Sequence, residues 1–277
     1  MTTSPDEVGA GPDRPRLAAR AARGFGRASQ AGASAIGNWI VPAVCVACRA
    51  ALSRHDALCA TCWGGIAFIR APLCDRLGLP LPFGGDHGGP IVSAAAAADP
   101  PAYARARAVA VFERDSVLQR LVHGFKYQDR HDARRLFGRW LIEAGRELFP
   151  ETDLIVPVPL SRRRLLWRRY NQAALLAQEV ARSTGLDWSP SVVVRSRATA
   201  QQVGLTREQR RLNVRNAFAV PARHRSAVAG RNILVIDDVI TTGATVEAAA
   251  RALVAAGASR VDVLALGLVT DPRAVTL

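Results

Sequence analysis

Lysine is almost missing from this chain of 277 residues: of its 37 basic side chains only Lys126 is not an arginine. Abundant Arg and Ala fit a GC-rich coding sequence, yet such bias exchanges Lys for Arg without creating an excess over acids. The formal charge is nonetheless +14. No apolar run reaches the roughly eighteen residues of a membrane-spanning helix, so no membrane span is expected. The N-terminus lacks a continuous apolar stretch after its charges, which argues against a secretory signal and for a cytoplasmic protein. Aromatic residues make up only 6%. Among the arginines few are found (Trp167, Tyr170), so base stacking has little support there. No internal repeat is evident. The 49% hydrophobic content can fill a sizeable core, and the length allows one α/β domain plus a smaller module.

The five cysteines are unevenly placed. Cys45-Val-Ala-Cys48 is followed, ten residues on, by Cys59-Ala-Thr-Cys62. Two such knuckles supply four thiolates that can close a tetrahedral zinc site. The intervening loop is shorter than in most zinc ribbons. In a reducing compartment two disulfides are the poorer explanation, and a redox dithiol needs one knuckle, not a matched pair. His55 could replace one thiolate, although a loop histidine facing water is the simpler reading. Four protein ligands leave no open position, so the zinc would be structural and would supply most of the folding free energy of so small a module. Cys74, in Pro72-Leu-Cys-Asp-Arg-Leu77, resembles a knuckle whose second cysteine is replaced by Leu77, and is read as a lost or partial site.

The most informative stretch is Ile233-Leu-Val-Ile-Asp237-Asp238-Val-Ile-Thr241-Thr242-Gly243-Ala244-Thr245. Its apolar start reads as a buried parallel strand ended by the two acids. A Thr/Gly turn then leads into an Ala-rich helix over 246–256. An acid pair alone is common at strand ends, where it binds metal or faces water. Joined to a turn and a helix N-terminus, it suits a sugar phosphate: N–H groups and the helix dipole take the phosphate, and carboxylates accept from ribose hydroxyls.

Strand and helix patterns alternate along the rest of the chain. Strands are expected at 108–112, 154–159, 192–194, 218–220, 233–236 and 261–268. Helices are expected at 117–127, 133–148 and 173–183, the last capped by Gly185. That order indicates a parallel α/β sheet. The expected organisation is a basic, disordered tail (1–40), a zinc-binding module (41–82), a linker (83–106) and a sheet domain (107–277). Fifteen arginines against five acids lie between 151 and 231, a balance suited to an anionic ligand, nucleic acid or both. A solvated basic face is the plainer alternative for any one of them.

Two further segments belong to that stretch. Val156-Pro-Val-Pro159-Leu160-Ser161 runs into an arginine cluster containing Arg164 and Arg168, then Tyr170-Asn171-Gln172 at a helix start. Forked guanidinium donors there match pyrophosphate oxygens. Gln201 and Gln202, with Arg211 and Asn213 beyond, form a polar loop able to close as a hood over a ligand. The lone lysine lies in His123-Gly-Phe-Lys126-Tyr127. Lys126, Tyr127 and Tyr170 are candidates for orienting a substrate, and each is also an ordinary packing or surface residue.

Over roughly residues 41–270 these segments together resemble the ComF family, including the related GntX-type proteins, and the acid-pair loop resembles the phosphoribosyltransferase superfamily. The resemblance implies a type I phosphoribosyltransferase-like parallel sheet carrying an N-terminal cysteine-knuckle zinc module. It also implies binding of phosphoribosyl pyrophosphate (PRPP) with Mg²⁺. PRPP would lie on Asp237, Asp238 and Thr241–Thr245, with the pyrophosphate near Pro159–Ser161, Arg164, Arg168, Asn171 and Gln172. Arg169 departs from the glycine usual in the family, and Leu77 breaks a third cysteine pair, which could reduce the zinc module to a single ion. The family's association with natural transformation implies single-stranded DNA and DNA-uptake machinery as partners. A catalytic phosphoribosyltransferase acting on a base or amine, or a PRPP sensor without chemistry, are the alternatives. No residue stands out as a base for an incoming nucleophile.

Overall fold

A computed structural model describes residues 42–82, 89–127, 133–160, 165, 170–196 and 217–270. Along them run strands β1 (Arg105–Val111), β2 (Leu154–Pro157), β3 (Val194–Arg195), β4 (Phe218–Ala219), β5 (Asn232–Ile240) and β6 (Arg260–Leu268). The helices are α1 (Ala60–Gly64), α2 (Ala94–Ala98), α3 (Val117–Tyr127), α4 (Arg134–Gly145), α5 (Gln172–Thr184) and α6 (Ala244–Ala255). β1, β6, β5 and β2 lie side by side in that order, all parallel.

β5 and β6 occupy the middle because their side chains are apolar on both faces, which only a sheet covered on both sides can satisfy. Alternate residues divide between two cores. Leu234, Ile236, Leu264 and Leu266 face α3, α4 and α5, among Phe125, Phe137, Leu141 and Leu176. Ile233, Val235, Val261 and Val263 face α6, among Ala249, Ala250 and Leu253. Each fully enclosed Leu, Ile or Phe contributes about 1.5–3 kcal/mol by leaving water. α5 starts where the Asn171 side chain accepts from the Ala173 N–H (3.1 Å) and stops at Gly185, whose φ of 75° is left-handed. Its buried Glu179 is matched by Arg134 and Arg182, and the buried Asp262 of β6 by Arg105 and Arg260.

Neither edge of the sheet is bare. Ile69 N–H donates to Val109 (3.0 Å) and Val111 N–H to Ala67 (2.8 Å), so residues 67–69 run antiparallel along β1. Trp188 bridges to Ile155 on β2. Such cover blocks edge-to-edge pairing with another chain.

Five elements differ from the sequence expectation. β5 does not end at the acid pair. Asp237 pairs with Ala265 and Ile240 with Leu268, because nine-residue β6 continues alongside and buries Val239 and Ile240. The α6 helix begins two residues early, at Ala244. The strands near 192 and 218 do not join the parallel sheet. Their short pieces form an antiparallel ribbon of their own, and Phe218 carries Arg195 over its ring at 5.4 Å. In the stretch rich in Gly, Pro and Ala that follows Pro82, the alanine run coils into α2, with Ser93 as its cap. No helix among the described residues is long and apolar enough to cross a membrane.

Candidate functional site

Two constellations carry chemistry. The first is the cysteine cluster. Residues 44–51 make a tight turn in which Cys45 N–H donates to Ala50 and Arg49 N–H returns to Cys45. Cys59 caps α1 and Cys62 lies in its first turn. The Sγ atoms of Cys45, Cys48, Cys59 and Cys62 all lie within 4.8 Å of one another, Cys48 and Cys59 at 3.7 Å. Zn–S bonds of about 2.3 Å in a tetrahedron need sulfurs about 3.8 Å apart, so the donor set fits zinc. Burial would raise the Cys45 thiol, but the N–H groups of Cys48, Cys59 and Ala47 outweigh it and bring it down to about 6. Burial and the neighbouring cysteines push Cys62 up to about 12. A cation among the sulfurs would offset the cost of ionising Cys62, and with four sulfur ligands it is structural. Trp63 on α1 ties this module to the sheet domain through ring contacts with Phe68 (4.8 Å) and Trp140 of α4 (6.1 Å).

The second constellation lies at the carboxyl end of β5, where ligands bind in open α/β sheets. Asp238 forms an ion pair with Lys126 at the end of α3 (Oδ2 to Nζ, 2.9 Å), both side chains being mostly buried. Asp237 accepts the Asp238 N–H at 2.8 Å. Desolvation first, then the charge of Asp238, push the Asp237 carboxyl up to about 8, with the N–H of Asp238 and the Lys126 charge pulling the other way. The Asp237 carboxyl is thus biased toward its protonated form, beside the Lys126–Asp238 ion pair.

α5 holds the third side of this end. Tyr170 donates to the Phe125 carbonyl (3.1 Å), and Gln172 to that of Lys126 (3.4 Å). Asn171 donates to Val158 (3.0 Å), just before Pro159 and Leu160, which continue from β2. After β5, Thr241 and Thr242 lead to Gly243, whose φ of 76° turns the chain into α6. Ala244 N–H donates to Thr242 Oγ1 at 3.4 Å, and Thr245 lies in the first turn. The structure therefore brings Pro159, Leu160, Asn171, Gln172, Asp237, Asp238 and Thr241–Thr245 to one end of the sheet. Ser161, Arg164 and Arg168, and the hood residues Gln201, Gln202, Arg211 and Asn213, fall outside the described residues. The sequence reading did not foresee Lys126 as the partner of Asp238. Its being the lone lysine in an arginine-only background was the available signal.

Comparison with known proteins agrees with this architecture. Residues 36–94 match a double zinc ribbon domain, and residues 171–270 match the phosphoribosyl transferase domain. The DNA utilization protein YhgH of Salmonella typhi is 34% identical over 82% of this chain and 97% of its own length. This chain belongs to the ComF family. Competence protein F of Haemophilus influenzae is 30% identical, covering 80% of the chain and 95% of that protein. Among solved structures, an allosteric regulatory enzyme of purine biosynthesis aligns with 49% of this chain and 26% of its own, at 24% identity and a TM-score of 0.34. The phosphoribosyl transferase domain match, the parallel sheet and the four-cysteine cluster give the ComF chain a type I phosphoribosyltransferase-like α/β fold with an N-terminal zinc module.

Proposed function

We propose that this chain binds PRPP at the acid pair and single-stranded DNA through its arginine-rich surface, in the service of DNA uptake. The observation that supports it most is the Lys126–Asp238 ion pair, which with the Gln172 hydrogen bond to the Lys126 carbonyl joins the ends of α3, α5 and β5. In this reading the 5′-phosphate lies on the loop from Thr241 to Thr245 at the N-terminus of α6, where N–H groups and the helix dipole favour an anion. Asp237 and Asp238 face the ribose 2′- and 3′-hydroxyls. With its carboxyl pushed toward the protonated form, Asp237 can donate as well as accept, while Lys126 holds Asp238 in place until the sugar arrives. Pyrophosphate lies against the backbone after Pro159, with Arg164, Arg168, Asn171 and Gln172 toward it. The hard oxygens of the acid pair and of PRPP suit Mg²⁺, which when bound neutralises the phosphates. Gln201, Gln202, Arg211 and Asn213, outside the described residues, are assigned to contact the ligand from the hood segment. The DNA part is supported by the excess of arginines and by relatives named for DNA utilization and competence.

The test is a calorimetric titration of zinc-loaded protein with PRPP and Mg²⁺, with and without short single-stranded DNA. Binding that shifts when DNA is present, and weakens steeply with salt, is the expected result. PRPP binding indifferent to DNA, with pyrophosphate released on adding a base or amine, would instead make the chain a phosphoribosyltransferase. Tight binding without turnover or DNA would make it a sensor. Unchanged PRPP affinity in Asp237→Asn/Asp238→Asn would sink the site assignment.

A further inference from the structure

The backbone around Cys74 repeats that of the zinc module bond for bond. In the first knuckle Cys45 N–H donates to Ala50 (2.8 Å), Arg49 N–H to Cys45 (3.0 Å), and Val44 bridges Ala51. In the second Cys74 N–H donates to Leu79 (2.8 Å), Gly78 N–H to Cys74 (2.7 Å), and Leu73 bridges Pro80. Arg49 and Gly78 hold the same left-handed position, with φ of 67° and 68°. The match continues into the returning chain. Val46 N–H donates to Ala57 (3.0 Å), and Asp75 N–H to Ile91 (2.8 Å). Two residues on, Cys59 N–H meets the Cys45 sulfur at 3.3 Å, and Ser93 N–H meets the Cys74 sulfur at 3.3 Å.

Each returning chain then enters a five-residue helix, α1 after Cys59 and α2 after Ser93. Three residues past each cap, Cys62 N–H donates to the Cys59 sulfur (3.5 Å) and Ala96 N–H to the Ser93 hydroxyl (3.4 Å). Even the donors to the first sulfur correspond: Ala47, Cys48 and Cys59 for Cys45, and Arg76, Leu77 and Ser93 for Cys74. Thus Cys45, Cys48, Cys59 and Cys62 map onto Cys74, Leu77, Ser93 and Ala96.

We propose that residues 73–99 are a second ribbon that has lost its metal, with Cys74, Leu77, Ser93 and Ala96 at the four ligand positions and the edge strand β1 taking over the structural role of zinc. One thiol, one hydroxyl and two hydrocarbon side chains cannot hold the ion. What replaces it is contact with the sheet. Arg107 of β1 is buried, donates to the carbonyl of Asp75 (2.7 Å) and pairs with the Asp75 carboxylate. Arg76 donates to the carbonyls of Pro101 (2.9 Å) and Tyr103 (3.3 Å). Leu77 and Leu79 pack against the core beneath α6. A Cβ on Gly78 would stand 2.6 Å from the Ala106 carbonyl oxygen, so the knuckle touches the strand backbone itself. The loops between matching halves differ, ten residues (49–58) against fifteen (78–92), and three of four ligands are gone, so the sequence shows the broken Cys74–Leu77 knuckle but not its returning half at Ser93 and Ala96.

Zinc content of the purified full chain, measured by mass spectrometry of the metal, tests this. One zinc per chain is expected in the unmodified protein and in Cys74→Ser. Leu77→Cys/Ser93→Cys/Ala96→Cys rebuilds four thiols at the second site and is expected to raise the content to two, with the second ion abolished by adding Cys74→Ser. Two zinc ions in the unmodified protein, or loss of zinc in Cys74→Ser, would overturn the proposal. A folded triple variant that stays at one would overturn the assignment of positions. Should the triple variant not fold, the first two measurements decide.

Discussion

The first ribbon, around Cys45 and Cys59, closes on four sulfurs, whereas the second, around Cys74 and Ser93, closes on a strand. Their hydrogen-bonded turns are alike, so the turn geometry does not depend on the ion. What differs is where the stabilising free energy comes from. A module too small for its own core needs a staple. The first ribbon takes it from zinc and from Trp63 against α4. The second takes it from Arg107 and from apolar contact below Leu77, and so exists only while β1 is in place.

Removing zinc is expected to have the largest effect. Structural zinc supplies on the order of 10 kcal/mol to such modules. A strong chelator, or Cys45→Ser, should deprotect the amides of 44–65 in hydrogen exchange and leave those of 73–81 slow. Equal loss in both ribbons would mean that the second hangs on the first and not on the sheet. Arg107→Met is the converse change. It removes the partner of the partly exposed Asp75 carboxylate, and losing such hydrogen bonds costs about 1–3 kcal/mol. The cost should appear in urea unfolding, with fast exchange confined to 73–81 near the midpoint and zinc content unchanged.

The matched left-handed positions offer a finer comparison. Gly78→Ala adds both strain and a clash with Ala106, for a loss of about 1–3 kcal/mol. Arg49→Gly relieves strain at the same turn and should change stability by only about 1 kcal/mol or less, since glycine's freedom in the unfolded chain offsets part of the gain. Similar losses in both would refute the equivalence in strain.

The smallest expected effect is a null one, and it sets both ribbons against the acid pair. Because the folded pKa of Asp237 is about 8 and that of an unfolded Asp about 4, the unfolded chain releases this proton first as pH rises. Stability from this group is therefore fully present below about pH 4 and lost as pH rises toward 8. Asp237→Asn should remove that loss, its advantage over the unmodified protein growing between pH 5 and about 8. The advantage should be the same with and without zinc. A zinc-dependent profile would show that the first ribbon reaches the acid pair.

Much of this molecule was determined by sequence alone. Apolar runs and their caps gave β5, β6, α3 and α5, because burial and hydrogen-bond termination are local consequences of residue type. The four cysteines announced their metal, and the strand, acid pair and Thr/Gly turn announced a polar site. Only tertiary structure decided that β5 continues past Asp237, since that depends on the length of β6 beside it. It alone set Lys126 against Asp238 and joined Ser93 to Cys74 across eighteen intervening residues. Those pairings are made by chain segments distant in sequence, held together by packing on a shared sheet. No local pattern encodes which distant segment will arrive.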